Sequence, residues 1–292
     1  MGPGTPPGGA GGTRLTSLTP EVIDWLMSVL GSYPADGAVT PLPASTSSVL
    51  VLGGGEILRW YDDDRFLAEE PDAIAREIAA LTALAGSGVP APRLIAASAR
   101  APAALLMTRL AGSPDPDIPD PAAIIDLLAA IHAVPPGPLA RWSYRGYHED
   151  RDLARPSWWR DAGHWHRAVQ QTTTSRPRGP AVLIHRDFHP GNVLWSGRAL
   201  TGIVDWVNAC VGPAAVDAAH LRVNLAVLED VAKADRVVAG DPAWDIEAAL
   251  DFLDWGSLDA VEAWPGPWPE LSADTARVRL EAFVANALAQ LG

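Results

Sequence analysis

Three oxygen-bearing side chains stand near one another in a short stretch of this sequence. Asp187 and Asn192 lie in the run His-Arg-Asp-Phe-His-Pro-Gly-Asn that begins at His185, and Asp205 follows shortly after it. A carboxylate can orient a hydroxyl group and accept its proton, while a second carboxylate and an amide oxygen are hard ligands suited to Mg²⁺. Phosphoryl transfer requires these groups, because it depends on positioning and on charge stabilisation by a metal. The sequence therefore indicates that chemistry, with Asp187 as proton acceptor and Asn192 and Asp205 as metal ligands.

The elements around this stretch are predicted to bring the three side chains together. The apolar run 181–185 is typical of a buried strand, and a Pro-Gly turn follows it. Residues 193–195 and 200–206 are predicted as the two strands of a hairpin. Such a hairpin would return Asp205 to the side of Asn192.

The spacing His-x-Asp-x-x-x-x-Asn, followed by a second aspartate, is the pattern of kinase catalytic loops. Residues 182–219 resemble the catalytic core of the aminoglycoside phosphotransferase family, whose members have a protein-kinase-like fold. Three further segments resemble parts of the same family in the same order: residues 75–94 its N-lobe helix and the strand after it, residues 105–112 its hinge, and residues 127–132 its first C-lobe helix. The resemblance covers residues 45–225.

The resemblance implies an α+β, bilobal protein-kinase-like fold. A small N-lobe with an antiparallel sheet and a helix would span residues 15–109 and bind the nucleotide. A larger, mostly helical C-lobe would span residues 110–292 and contain the catalytic loop, the metal site and the acceptor pocket. Residues 1–14, which are rich in Gly and Pro, are predicted to form a disordered tail, because they cannot bury enough apolar surface to become ordered.

The same resemblance implies residues that bind the phosphates. Arg59 lies on a predicted strand where kinases place a phosphate-pairing lysine, and Glu77 lies where they place its helix partner. Because arginine is a planar fork and lysine a point charge, the phosphate geometry is expected to differ from that of the lysine enzymes. Ser47 and Ser48, in the segment 43–48, lie where a loop would cover the phosphates.

The hinge and the loop supports are implied in the same way. Backbone groups of residues 107–110, and thus of Met107 and Arg109, would contact the base of the nucleotide. His185 would anchor the loop and not accept the proton. Asp217 either supports the catalytic loop by hydrogen bonding, as in the family, or is simply a residue at a helix end, and the sequence leaves both interpretations open.

Composition fits an enzyme of a reducing compartment. The chain of 292 residues has a single cysteine, Cys210, which excludes an internal disulfide framework. No run is long enough to span a membrane, and no secretory signal is visible at the N-terminus. We therefore expect a cytoplasmic enzyme without a membrane partner.

The charge and the aromatic residues bear on the acceptor. A net charge of −13 argues against nucleic acid as a partner. It would attract a cationic acceptor, although diffuse negative charge also simply keeps a protein soluble. Aromatic residues between positions 139 and 180 could stack on acceptor rings or pack a helical core. Residues 245–255 are predicted as a helix whose acids, among them Asp245, Glu247 and Asp251, face solvent or bind the ammonium groups of an acceptor.

Together these features predict a Mg²⁺-dependent enzyme that moves the γ-phosphoryl group of ATP, or of GTP, to a hydroxyl group of a small molecule. The acceptor could be an aminoglycoside or another antibiotic, which would make this a resistance enzyme. It could equally be a metabolite of the choline, homoserine or sugar type, since the motifs concern the nucleotide and the metal.

Two other classes of protein are less consistent with the sequence. A metallohydrolase would use His185, Asp187 and His189 as zinc ligands, but the Pro-Gly turn that follows breaks the strand needed to align them. A non-catalytic nucleotide-binding protein of kinase shape would normally lack the proton acceptor or the metal aspartate. Both Asp187 and Asp205 are present here.

Overall fold

The computed structural model describes residues 18–31, 40–42, 47–53, 55–98, 101–149, 153–174, 179–254, 258 and 271–292. The predicted tail at residues 1–14 and the first part of the predicted phosphate loop at residues 43–48 lie outside these ranges, whereas Ser47 and Ser48 lie within them. Within the described ranges, no helix combines the length and the apolar composition that a membrane crossing requires.

The N-terminal part is built on a five-stranded antiparallel sheet with the strand order β1-β2-β3-β5-β4. The strands are β1 (Thr40–Leu42), β2 (Ser48–Val51), β3 (Glu56–Trp60), β4 (Leu94–Ser98) and β5 (Ala104–Thr108). Strands β2 and β3 form an antiparallel hairpin, and Gly54 of its turn lies outside the described residues. The central strand β3 places Arg59 between Val49 of β2 and Leu105 of β5.

Helices cover both faces of this sheet. Helix α1 (Pro20–Leu30) begins at an N-cap, Thr19, whose hydroxyl accepts from a backbone N–H of the first turn, and it packs on the face that contains Leu106. Helix α2 (Asp64–Glu69) is a short connection after β3. Helix α3 (Ala73–Leu84) belongs to the core on the opposite face, where Leu105 lies, because successive residues of a strand point to opposite sides.

The C-terminal part is mostly helical. Its helices are α4 (Pro121–His132), α5 (Ala162–Thr174), α6 (Ala215–Leu228), α7 (Val231–Val237), α8 (Pro242–Asp254) and α9 (Ala273–Leu291). Its strands are β6 (Ser113–Pro114), β7 (Ala181–Ile184), β8 (Val193–Ser196), β9 (Ala199–Ile203) and β10 (Cys210–Pro213). Strands β6, β8 and β9 form one small sheet, and β7 pairs with β10. Helix α6 lies at the centre, packed against α7, α8 and α9.

Two sequence-based expectations need correction here. The returning strand of the hairpin was expected to reach Trp206, but β9 ends at Ile203 because Asp205 takes a left-handed backbone conformation, with φ 67° and ψ 63°. The acids of α8 were expected to face solvent or an acceptor, whereas Asp245 and Glu247 are buried.

Their burial has a direct cause in this fold. Asp245 Oδ1 lies 3.0 Å from the Nε atom of Arg222, another buried residue. His148 stands between Glu247 and Asp251, with nitrogen–oxygen distances of 3.1 and 2.5 Å. The carboxylates therefore lie inside the protein because cationic or protonatable side chains accompany them, which is the usual condition for burying a charge.

Candidate active site

The loop between β7 and β8 carries Asp187 and Asn192. A short 3₁₀ turn over residues 190–192 ends this loop and leads directly into β8. The Nδ2 group of Asn192 donates to the backbone oxygen of Asp187 at 2.9 Å and lies 3.4 Å from Asp187 Oδ2. Because the amide nitrogen is engaged with the loop, the amide oxygen of Asn192 is the atom left to act as a ligand.

The hairpin brings Asp205 to the same place. Val193 pairs with Ile203 across the hairpin, and the Val204 N–H donates to the backbone oxygen of Asn192 at 2.9 Å. Asn192 and Asp205 thus flank one end of the β8–β9 pair. The left-handed backbone of Asp205 turns the chain immediately after that pair, and its side chain remains one-third exposed.

Arg59 connects the sheet to this hairpin end. Its Nη1 atom lies 3.0 Å from Glu77 Oε1 and 2.7 Å from Asp205 Oδ1, while its Nε group donates to Ser47 Oγ at 3.0 Å. The second oxygen of Glu77 accepts from the Tyr61 hydroxyl. Burial alone would lower the pKa of Arg59, but Asp205 and Glu77 raise it well above its usual value. The guanidinium therefore stays charged inside the protein.

The other residues that the family resemblance implies for nucleotide binding have different surroundings in the structure. Ser48 is tied to Asp62, which accepts from both its N–H and its hydroxyl, at 3.1 and 2.7 Å. Met107 is buried in β5, and Arg109 follows that strand, with its N–H donating to the Gly55 oxygen at 3.3 Å. Within the described end of the predicted phosphate loop, Ser47 and Ser48, it is the Ser47 side chain that accepts a hydrogen bond from Arg59.

Asp217, in the first turn of α6, holds the start of the catalytic loop. Its two oxygens accept from the backbone N–H groups of His185 and Arg186, at 3.0 and 2.7 Å, and His132 Nε2 lies 2.9 Å from Oδ2. His185 is buried, and its Nε2 group donates to the Val204 oxygen at 2.9 Å. These hydrogen bonds favour the interpretation of Asp217 and His185 as loop supports.

The surroundings of Asp187 include a residue that the sequence did not indicate. His220 Nε2 lies 3.1 Å from Asp187 Oδ1, and His189 Nε2 lies 3.9 Å from the same oxygen. Burial alone would raise the pKa of Asp187, but these two imidazoles hold it well below its usual value. The one signal for His220 in the sequence is its position three residues after Asp217, since such residues share a helix face.

A second cluster that the sequence missed lies beside the loop. The Arg186 guanidinium donates to the backbone oxygen of Arg145 at 2.8 Å and stacks 4.1 Å from the ring centre of Tyr147. The neighbouring Tyr144 hydroxyl donates to Asp251 of α8 at 3.2 Å. The segment of residues 142–149 therefore lies between the catalytic loop and α8.

The donor set fits magnesium better than zinc. In the part of the chain that the structure describes, no group of three or more His, Cys, Asp or Glu side chains is arranged to hold a metal ion. Zinc sites normally require three or four such ligands. Mg²⁺ takes one or two protein oxygens and completes its shell with water and phosphate. Asn192 and Asp205 offer that number of oxygens.

A buried cation on a sheet, its carboxylate partner on a helix and an aspartate that follows a hairpin recur in protein-kinase-like phosphotransferases. The family model of the phosphotransferase enzyme family, APH, matches residues 38–260. The chain belongs to this family, which is the family of the aminoglycoside phosphotransferases. The predicted α+β, bilobal protein-kinase-like fold is confirmed.

Solved structures share this fold at low sequence identity. A choline/ethanolamine kinase family protein from Mesorhizobium loti is 18% identical, with 92% of this chain and 94% of that chain covered and a TM-score of 0.57. The streptomycin–ATP–APH(2")-IIa ternary complex is 12% identical, with 84% and 90% covered and a TM-score of 0.58. A thermostable mutant of aminoglycoside phosphotransferase APH(4)-Ia, in complex with AMP-PNP and hygromycin B, is 16% identical, with 91% and 98% covered and a TM-score of 0.59. A search of curated protein sequences finds no match.

Proposed function

We propose that this protein is a Mg²⁺-dependent kinase that transfers the γ-phosphoryl group of ATP to a hydroxyl group of a small molecule. One observation carries the proposal: ion pairs, hydrogen bonds and the pairing of the β8–β9 hairpin link the groups that the reaction needs. Arg59 contacts both Glu77 and Asp205, Asp205 stands at the same hairpin end as Asn192, and Asn192 contacts Asp187. These contacts support the proposal that the nucleotide, the metal and the acceptor bind side by side in one site.

Two side chains would hold the metal. The amide oxygen of Asn192 and the carboxylate of Asp205 are the protein ligands in this proposal. When bound, Mg²⁺ supplies positive charge against the phosphate oxygens and holds them in one orientation. This division of labour leaves Asp187 free for the acceptor.

Arg59 supplies the permanent positive charge on the nucleotide side. Asp205 and Glu77 hold its pKa well above the usual value despite burial, so the guanidinium stays charged inside the protein. Glu77 and Ser47 fix the direction of the guanidinium fork. We propose that backbone groups from Met107 to Leu110, including those of Arg109, contact the base, and that Ser47 and Ser48 border the phosphates.

Asp187 acts on the acceptor hydroxyl. Its carboxylate is ionised at neutral pH, because the neighbouring imidazoles outweigh the effect of burial on its pKa. A carboxylate of low pKa is a weak base, so its main contribution is orientation of the hydroxyl towards the phosphorus atom. Proton transfer to Asp187 completes the reaction, since the transition state of phosphoryl transfer is loose and bond formation to the nucleophile is slight.

The acceptor that we favour is a cationic hydroxyl compound. Streptomycin and choline each join a hydroxyl group to positively charged nitrogen, and both are named in the similar structures. A net charge of −13 favours the approach of such compounds over that of anionic acceptors. An antibiotic acceptor and a metabolite acceptor are both consistent with this argument. The cytoplasmic location and the lobe boundaries, at residues 15–109 and 110–292, stay predictions.

Asp187→Asn is the central test of this function. A coupled assay of ADP release should first be run with Mg·ATP and a panel of aminoglycosides, choline, homoserine and sugars. With the best acceptor, we expect Asp187→Asn to lower kcat by about 10²- to 10⁴-fold, because the carboxylate no longer orients the hydroxyl. Nucleotide affinity, measured by calorimetry, should hardly change.

The matched control is Asp24→Asn, at an exposed position of α1, which should retain wild-type kcat. An Asp187→Asn enzyme as active as the wild type would remove the proposed role of Asp187. A wild-type protein that binds Mg·ATP and transfers phosphate to none of the acceptors would instead support the non-catalytic alternative.

A further inference from the structure

We propose that His220 is a positioning residue that donates its Nε2–H to one oxygen of Asp187 and thereby presents the other oxygen to the acceptor hydroxyl. The inference rests on the proposed function, in which Asp187 orients that hydroxyl. The distance that supports it is 3.1 Å, between His220 Nε2 and Asp187 Oδ1, which is an ordinary hydrogen-bond length.

The position of His220 on α6 explains why it can reach the carboxylate. His220 lies three positions after Asp217, so the two side chains lie on one face of the helix. Asp217 holds the backbone of the catalytic loop through the N–H groups of His185 and Arg186. One turn further along, His220 contacts the side chain of Asp187. A single helix face therefore holds both the backbone of the loop and its reactive carboxylate.

The proton of this hydrogen bond can be assigned from chemistry. An ionised carboxylate only accepts hydrogen bonds, so the Nε2 atom of His220 must carry the hydrogen. His189 is oriented differently: its Nδ1 accepts from the Gly191 N–H at 3.1 Å, and its Nε2 is 3.9 Å from Asp187 Oδ1. That distance is too long for a hydrogen bond. Of the two histidines, His220 is the one that bonds to Asp187.

A bond to one oxygen matters because the last torsion of aspartate is soft. The carboxylate of an aspartate rotates about a broad, roughly two-fold torsion, so an unrestrained group presents either oxygen. Oδ2 of Asp187 lies 3.4 Å from Asn192 Nδ2, whose shorter bond, at 2.9 Å, goes to the backbone oxygen of Asp187. The bond to Oδ1 is therefore the stronger restraint, and Oδ2 keeps an open lone pair. Both Asp187 and His220 remain partly exposed, so an acceptor can reach them.

The experiment compares two substitutions of His220. His220→Phe keeps a ring but removes the donor, and we expect kcat to fall up to about a hundredfold, because a misoriented group loses rate steeply. His220→Gln keeps a neutral N–H donor and should recover most of that loss. The KM for ATP should stay at the wild-type value in both variants. Recovery by glutamine, which does not titrate, would assign the effect to donation and not to proton uptake.

The same substitution in an Asp187→Ala background shows whether His220 acts through Asp187. We expect His220→Phe to have no further effect on the residual rate there, because the group that it orients is gone. A general structural role would instead lower the rate by the same factor in both backgrounds. His164→Phe, on α5, is the matched histidine control and should behave as wild type.

A measurement without substrate separates this inference from the proposed function. In the ¹H–¹⁵N spectrum of the imidazole groups, we expect His220 in the Nε2–H tautomer, with a downfield proton that is lost in Asp187→Ala. If the wild-type protein had no transferase activity, the proposed function would be contradicted, but the spectrum would still show whether His220 donates to Asp187. An Nδ1–H tautomer overturns the inference, as would a His220→Phe enzyme of full activity, or one no worse than His220→Gln.

Discussion

Arg59 uses its guanidinium fork in a way that a lysine ammonium could not. Its Nη1 atom forms ion pairs with Glu77 and Asp205, and its Nε group, on another edge of the plane, donates to Ser47. The planar geometry keeps these donors at fixed separations, whereas lysine offers one compact charge. Because Asp205 is paired with Arg59, a metal that binds Asp205 joins a carboxylate whose position is already set.

Asp205→Ala should abolish Mg²⁺-dependent nucleotide binding, because it removes the one charged ligand of the proposed metal site. We expect ATP affinity with Mg²⁺ to fall at least about tenfold, to the level measured with EDTA. Calorimetric titration of wild type and variant, with and without the metal, measures this directly. Asp126→Ala, at an exposed position of α4, is the control, and equal metal dependence in wild type and Asp205→Ala would contradict the assignment.

The main candidate site residues were predictable because they lie in local motifs. The others were not, because their roles depend on contacts between distant parts of the chain. The spacing of Asp187, Asn192 and Asp205 along the chain is set by one loop and one hairpin, so it can be read from the sequence. The contact between His220 and Asp187 depends on how α6 packs against the loop. The spacing from Asp217 places His220 on the same helix face, but it does not identify Asp187 as the partner.

At the scale of elements, helix α8 and the segment of residues 142–149 are joined by buried charge. His148 lies between Glu247 and Asp251, and burial alone would lower its pKa. The hydrogen bonds to Asp251 and Glu247 outweigh burial and raise the pKa of His148 to about 9. The same segment carries Tyr147, which stacks on Arg186. The contact between this segment and α8 is therefore connected to the catalytic loop through a single side-chain contact.

The protonation of His148 should make stability depend on pH. A folded-state pKa of about 9, above the ordinary 6.5, means that its contribution is complete below pH 6.5 and is lost as the pH rises through 9. The difference corresponds to about 3 kcal/mol. Urea unfolding of wild type should therefore show a steeper fall in unfolding free energy between pH 6.5 and 9 than His148→Gln.

The control for this measurement is His164→Gln, whose side chain is partly exposed on α5 and should leave the pH dependence unchanged. Parallel curves for wild type and His148→Gln would show that His148 does not titrate in that window.

The positions of several helices were predictable from the sequence, because side-chain caps and apolar spacing mark them, as α1, α4 and α9 show. The burial of the acids of α8 was not, because it depends on partners on other elements: Arg222 for Asp245, and His148 for Glu247 and Asp251.

Across the whole molecule, two buried arginines of the N-terminal part reach the same short stretch of the C-terminal part. Arg59 contacts Asp205, and the Nε group of Arg76 donates to the Val207 oxygen at 3.0 Å. Arg76 also pairs with Glu70 at 2.6 Å. Residues 205–207 follow the hairpin directly, so these two arginine contacts between the parts are also neighbours of the proposed metal site.

Arg76→Met should destabilise the protein by roughly 1–3 kcal/mol, because it leaves the Val207 carbonyl in a buried position without its donor. The free energy of unfolding in urea measures the effect. Arg65→Met, which removes an exposed i,i+4 pair with Glu69, should change stability by less than about 0.5 kcal/mol. Equal losses in the two variants would show that the Arg76 bond does not stabilise the junction.

Two positive backbone angles at the border of the site have a practical consequence for protein engineering. Arg186 and Asp205 both have φ near 67°, a conformation that costs most side chains about 1 kcal/mol or more. Libraries aimed at new acceptor preferences would tolerate glycine or asparagine at position 186 and lose β-branched choices there, whereas position 205 has to keep its aspartate for the proposed metal site. Randomisation is better directed at the aromatic residues facing Arg186, such as Tyr147, whose backbone does not adopt a positive φ.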